Sequence, residues 1–197
     1  MKRILVIKSS LNGVHSQSNQ LVDKLTEQLQ KDREAEVTTR DFATQPLPHL
    51  TQREMAAWMS GADEAHDIEN GTAALSDELI SELKNSDAVI IGMPMYNFGV
   101  PSTFKSWVDR IARAGTTFNY TENGPVGLLD NKPVYIVATR GGFYAGTPAD
   151  SQTPYLKSVF GLIGLRDVRF IYAEGLATSD KVSQLAQAEQ AIEQITG

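Results

Sequence analysis

Residues 87–110 read DAVIIGMPMYNFGVPSTFKSWVDR, and the change of character at Gly92 decides how the rest of the chain is read. Ala88 to Ile91 are continuously apolar, the pattern of a strand buried on both faces, as in a parallel sheet covered by helices. Past Gly92 the chain stiffens. Pro94 restrains the exit from the strand and Pro101 pre-sets a helix start. Between them stand Met95, Tyr96, Asn97 and Phe98, and after them Phe104, Trp107, Val108 and Ile111 recur at helical spacing.

The same alternation runs outward in both directions. Strand-length runs occur at residues 3–8 (RILVIK), 36–40 (EVTTR), 133–140 (PVYIVATR) and 167–174 (DVRFIYAE). Leu21, Val22, Leu25 and Leu29 share one helical face in a segment that starts near Gln17. Leu75, Leu79, Ile80 and Leu83 form a second, with Ser76 as its N-cap. Tyr155, Val159 and Leu162 form a third, and Leu185, Ala188, Ile192 and Ile195 a fourth. Gly115 stands where a helix C-cap glycine is expected. Strand then helix, five times over, predicts one domain spanning residues 1–197: a five-stranded parallel sheet with right-handed crossovers covering both faces.

Two segments exceed that minimal unit. Residues 41–71 are long and contain Met55, Trp58 and Met59 at helical spacing, which suits core or subunit packing. Residues 116–129 (TTFNYTENGPVGLL) read as a hairpin turning at 122–125, where Asn-Gly is a turn signal. Excursions of this kind on α/β folds build sites or subunit contacts.

The totals exclude several functions. A net charge of −6 without a Lys/Arg cluster excludes a nucleic-acid backbone binder, which needs a concentrated basic face. There is no cysteine, hence no thiolate nucleophile, disulfide or thiolate metal site. His15, His49 and His66 are too far apart for a His-x-x-x-His pair, so no metal is expected. The apolar run at Ile4–Ile7 is too short for a signal core or a membrane span, so the expected location is cytoplasmic, off the membrane.

In an open parallel sheet, ligands bind outside the carboxyl ends of the strands. Three loops fall there. The first, KSSLNGVHSQSNQ (8–20), sets Ser9, Ser10, Ser16 and Ser18 around a glycine and opens a helix. Unpaired N–H groups and the positive end of the helix dipole suit a phosphate monoester there. No GxxxxGK[ST] and no GxGxxG occur, so neither a nucleoside triphosphate nor a Rossmann dinucleotide is indicated. The second loop offers Tyr96 and Phe98 to the face of a flat heterocycle, with Asn97 and backbone N–H groups for its polar edge. The third, ATRGGFYAG (138–146), has Gly141-Gly142 for close backbone approach, with Arg140 nearby. Together they fit a flavin mononucleotide, FMN.

Beyond these arguments, MPMYNFGVPSTFKSWVDRIARAGTTFNYTENGPVGLL (93–129) closely resembles the bacterial FMN-dependent NADH-azoreductases, relatives of the NAD(P)H:quinone oxidoreductases. KSS followed by SQSNQL, TRGG, TPYL and AEG carry the resemblance along nearly the whole chain, least in residues 41–71. It implies a flavodoxin-like three-layer sandwich with strand order 2-1-3-4-5. It implies FMN held by Ser9, Ser10, Ser16, Gln17 and Ser18 at the phosphate, with Met95, Tyr96, Asn97 and Phe98 along the isoalloxazine. Thr139, Arg140, Gly141 and Gly142 would bind the pyrimidine edge, Thr139 standing where serine is common. The resemblance further implies NADH as co-substrate and quinones and azo compounds as acceptors in a ping-pong cycle. It implies a homodimer whose sites both subunits build.

No protein side chain is expected to be catalytic, since the flavin carries the chemistry and the chain positions and tunes it. Backbone donors at Gly141 and Gly142 would favour the anionic reduced form. By residue type, Phe118 and Tyr120 would wall the substrate site. The non-enzyme rival is a flavodoxin-type electron carrier; the two excursions, as walls for a small substrate, argue against it. Ser102-x-x-Lys105 matches a serine-hydrolase motif, but no Lys-Thr-Gly accompanies it.

Overall fold

The computed structural model describes residues 2–31, 34–60 and 72–195. Five parallel strands form one sheet: β1 (Lys2–Lys8), β2 (Ala35–Asp41), β3 (Ala88–Pro94), β6 (Val134–Thr139) and β7 (Val168–Ala173), in the order β2-β1-β3-β6-β7. Counting only these five, that is the expected order 2-1-3-4-5. β4 (Phe118–Thr121) and β5 (Gly124–Gly127) form a separate antiparallel hairpin.

Alternation along each strand divides the core into two layers. Ile4, Val6, Ile90, Val137 and Ile171 face Leu21, Val22, Leu25, Ala188 and Ile192, on α1 (Gln17–Gln30) and α6 (Lys181–Glu193). Leu5, Ile7, Val89, Ile91, Ile136 and Ala138 turn the other way. There they meet Leu79, Leu83, Phe104, Trp107, Leu156 and Phe160, on α3 (Thr72–Asn85), α4 (Ser102–Ile111) and α5 (Gln152–Ile163). β3 and β6 are buried along their whole length, which is why their sequences do not alternate. Gly92 owes its place to α1: a Cβ there would lie 3.1 Å from a Val22 methyl.

Several local expectations are corrected. Ser76 does not cap α3, which begins at Thr72; it lies inside the helix, and its hydroxyl donates to the Arg110 carbonyl. Gly115 lies beyond the end of α4, with φ +78° and its N–H donating to Phe118 O at 2.8 Å, so it starts the hairpin instead of ending the helix. On α5 the innermost residues are Leu156, Phe160 and Ile163, one position on from the expected stripe, which is only partly buried.

Within 41–71, the chain forms α2 (Gln52–Ser60), opened by a reciprocal cap. Thr51 N–H donates to Glu54 Oε2 at 2.8 Å and Glu54 N–H to Thr51 Oγ1 at 3.3 Å. Its inward residues are Glu54 and Ala57, whereas Met55 is exposed and Trp58 lies partly buried under the Arg113 guanidinium. The Met59 side chain and His66 lie outside the described residues.

Candidate functional site

Loops leave the carboxyl ends of β1, β3 and β6 side by side, because those strands are neighbours in the sheet. In the first loop Ser16 caps α1, its hydroxyl accepting from Asn19 N–H at 3.2 Å and lying 3.0 Å from the Ser18 hydroxyl. The N–H groups of Gln17 and Ser18, in the helix's first turn, have no acceptor among the described residues. Two hydroxyls and two free amides at a positive helix end form an anion cradle.

Ser9 does not join it. Its buried hydroxyl donates to Gly92 O at 2.6 Å and ties β1 to β3. Ser10 faces the other way, its hydroxyl 3.2 Å from that of Tyr96, which also accepts from Leu11 N–H at 3.1 Å. The first and second loops are thereby joined.

The second loop is a tight reversal. Tyr96 and Gly99 exchange both backbone hydrogen bonds, at 3.1 and 2.9 Å, and the residues between them, Asn97 and Phe98, have φ of +49° and +62°. Asparagine tolerates that region, but a bulky residue there costs about 1–2 kcal/mol. The start of α5 holds the turn in place. Ser151 Oγ donates to Phe98 O, and the buried Gln152 amide donates to Pro94 O at 3.0 Å and Gly99 O at 3.2 Å. The Phe98 ring stays exposed and meets Tyr144 edge-on at 5.4 Å.

In the third loop the carbonyls of Arg140, Gly141 and Gly142 accept from Leu176, Ala177 and Gly175 N–H, each at 3.0 Å. The N–H groups of Gly141 and Gly142 have no acceptor among the described residues, nor has the Thr139 hydroxyl. Two adjacent amide donors thus flank the aromatic turn.

Arg140 follows β6 directly. Its guanidinium is buried, donating to Glu174 Oε1 at 3.1 Å, Asp150 Oδ1 at 2.9 Å and Thr153 Oγ1 at 2.9 Å, and it lies over the Tyr172 ring. Its backbone N–H donates to Ala173 O, and its buried Nε–H has no acceptor among the described residues. Burial pushes the Asp150 carboxyl up, but hydrogen bonds from Thr153 and Arg140 outweigh this and hold it below its ordinary range.

The hairpin pair separates. Tyr120 is 78% exposed and Phe118 only 6%, their rings edge-to-face at 5.3 Å. Phe118 is therefore the buried member of the pair and Tyr120 the exposed one. Ser102 and Lys105 are both exposed, Lys105 paired with Asp109, so the hydrolase-like motif is a solvated first turn.

Sequence reading missed Gln152, Asp150 and Glu174. Asp150, three residues before Thr153, has a helix-cap spacing that could have been found. Gln152 and Glu174 carry no local signal, since their partners lie 58 and 34 residues away.

A 2-1-3-4-5 parallel sheet with donor loops outside its carboxyl edge defines a doubly wound α/β protein with a ligand site at the switch point. The chain belongs to the flavodoxin-like fold family, whose model matches residues 2–196. It is 48% identical over 196 residues to the FMN-dependent NADH:quinone oxidoreductase of Pseudoalteromonas atlantica, a match covering all of this chain and 96% of that protein. It is 49% identical over 186 residues to the protein of the same name from Alcanivorax borkumensis, covering 94% of each. Among solved structures, the FMN-dependent NADH-azoreductase of Bacillus anthracis in complex with FMN superposes with a TM-score of 0.84. That match covers 98% of this chain and 96% of that one at 24% identity, a likeness of fold.

Proposed function

We propose that this chain is an FMN-dependent oxidoreductase that uses NADH to reduce quinones and to cleave azo bonds to amines by a ping-pong mechanism. The observation that carries the reading is the set of unpaired donors on three neighbouring loops: the Gln17 and Ser18 amides, the Thr139 hydroxyl, and the Gly141 and Gly142 amides. An anion cradle at one end and an acceptor-binding edge at the other, with an aromatic turn between, match the parts of FMN. The names of the relatives at 48% and 49% identity support the same cofactor and nicotinamide.

Ser10, Ser16, Gln17 and Ser18 hold the phosphate; Met95, Tyr96, Asn97 and Phe98 line the ring system; Thr139, Arg140, Gly141 and Gly142 meet its pyrimidine edge. FMN bound there would supply two-electron hydride chemistry from NADH, one round for each quinone reduced and two rounds, four electrons with four protons, for each azo bond cleaved to two amines. The chain's part is to orient, through a turn held in a costly conformation, and to present fixed donors where negative charge develops. Tyr120 walls the substrate space. The assembly is a homodimer whose sites both subunits complete, for which the exposed Phe98, Tyr120, Val126 and Leu128 provide apolar contact surface.

The test is the visible spectrum of the purified protein, followed through anaerobic addition of NADH and then a quinone or an azo dye. A yellow protein that bleaches with NADH and recovers its colour with either acceptor is expected. A yellow protein inert to NADH would leave an electron carrier in its place.

A further inference from the structure

The third loop stands on a buried charge cluster that binding alone does not require. One guanidinium, that of Arg140, lies between two carboxylates, those of Asp150 and Glu174. All three side chains are nearly or fully buried, and with the guanidinium permanently protonated the cluster carries a formal charge of −1. Glu174 does more than pair with Arg140. Its Oε1 also accepts from the N–H groups of Tyr144 and Ala145, both at 2.8 Å, and so fixes the far end of the loop. The backbone just beyond Glu174 runs alongside that loop, Gly175 and Ala177 donating to Gly142 and Gly141. The unpaired amides of Gly141 and Gly142 are therefore held between Arg140 and the two residues that Glu174 binds.

We infer that Glu174 and Asp150 are positioning and potential-setting residues for the cofactor: with Arg140 they fix the Gly141–Gly142 donors and place one uncompensated negative charge behind them. This rests on the FMN reading. Two-electron reduction with uptake of one proton adds one negative charge to the isoalloxazine. A fixed negative charge in a poorly solvated site opposes that gain. The two amides favour it. The cluster thus offsets its own donors and holds the potential down, which keeps the reduced cofactor a strong donor to quinones and azo compounds.

Glu174→Gln removes the charge and keeps an oxygen to accept from Arg140, Tyr144 and Ala145. The midpoint potential of the bound FMN, measured by reductive titration against a reference dye, is expected to rise. A tenfold gain in affinity for reduced over oxidised FMN corresponds to about 30 mV for this two-electron couple. Asp150→Asn, whose oxygen still accepts from Arg140 and Thr153, is expected to shift it the same way, and gives the reading if Glu174→Gln does not fold. Glu189→Gln, an exposed α6 carboxylate paired with Lys24, serves as the control and leaves it unmoved. Wild-type protein that takes up no FMN overturns the cofactor reading itself. FMN-loaded variants whose potential is unchanged or lowered overturn this inference and leave that reading standing.

Discussion

The Arg110 guanidinium donates to the Glu54 carboxylate at 2.7 Å with both side chains buried. Arg110 also donates to the Pro48 and His49 carbonyls, at 3.0 and 3.3 Å. One side chain on α4 thus anchors both the approach to α2 and its first turn. Removing one partner of a buried pair leaves the other charge uncompensated, at about 3–5 kcal/mol. Glu54→Ala is expected to lose stability of that order in a denaturant titration, with α2 protected less against hydrogen exchange. A change below about 1 kcal/mol would mean that the pair is solvated.

Acid should expose the same bonds. Burial pushes the Glu54 carboxyl up, yet hydrogen bonds from the Thr51 hydroxyl, Arg110 and the Thr51 amide outweigh it, and the carboxyl lies below its ordinary range. The Asp150 carboxyl is lowered as well. A carboxyl that binds its proton less tightly when folded contributes stability in full above its unfolded value, about 4. That contribution fades as pH falls through the folded value. Denaturant midpoints are therefore expected to hold from pH 7 to about 5 and to fall steeply below 4. Asp150→Asn should make the decline shallower; an identical slope in wild type and variant would remove Asp150 from this account.

Most of the fold was legible because burial leaves its mark on composition. The unbroken apolar runs of β1, β3 and β6 marked strands covered on both faces, and their spacing left room for one helix each. The three strand-end loops were legible for the same reason, since prolines, serines and paired glycines punctuate strand ends. The ties between distant elements were not. Nothing near Ser9 announces its bond to the Gly92 carbonyl, and nothing near Arg140 announces the carboxylates 10 and 34 residues further on that flank its guanidinium. Ser76 looked like a cap because nothing in its neighbourhood announces the Arg110 carbonyl, 34 residues away. Side-chain pairing across the fold leaves no periodicity to read.

The turn at Asn97 separates stability from binding. Glycine adopts φ near +49° without the cost borne by a side chain, so Asn97→Gly should leave thermal stability unchanged or raise it, by up to about 1 kcal/mol. It also deletes an amide proposed to meet the cofactor, a loss of about 0.5–1.5 kcal/mol, or roughly two- to tenfold in FMN affinity. Fluorescence titration of the apoprotein would show it. Undiminished affinity would exclude the Asn97 side chain from the site.

Gly127 tests how the hairpin is seated. A Cβ there would stand 2.1 Å from Gly164 N and 2.4 Å from Ile163 C, both backbone atoms unable to swing aside. Leu129 N–H donates to Ile163 O at 3.1 Å, so the hairpin rests directly on the end of α5. Gly127→Ala forces the two apart, at about 1–3 kcal/mol for an overpacked contact. The expected result is a lower Tm and an altered acceptor KM with FMN content preserved. Wild-type values for both would show that the hairpin floats.

The sharpest discrimination lies between Phe118 and Tyr120. Both were expected to wall the substrate, but only Tyr120 presents its ring outward, with Phe118 packed beneath it. Tyr120→Ala removes exposed surface and leaves the core intact, so stability should change by no more than about 0.5 kcal/mol while acceptor KM shifts. Phe118→Ala empties a buried position and should cost about 3–5 kcal/mol. Steady-state kinetics with several quinones and azo dyes, paired with denaturation of each variant, separate the roles. If Tyr120→Ala leaves KM unchanged for every acceptor, the hairpin is a structural appendage and the substrate wall must be sought elsewhere.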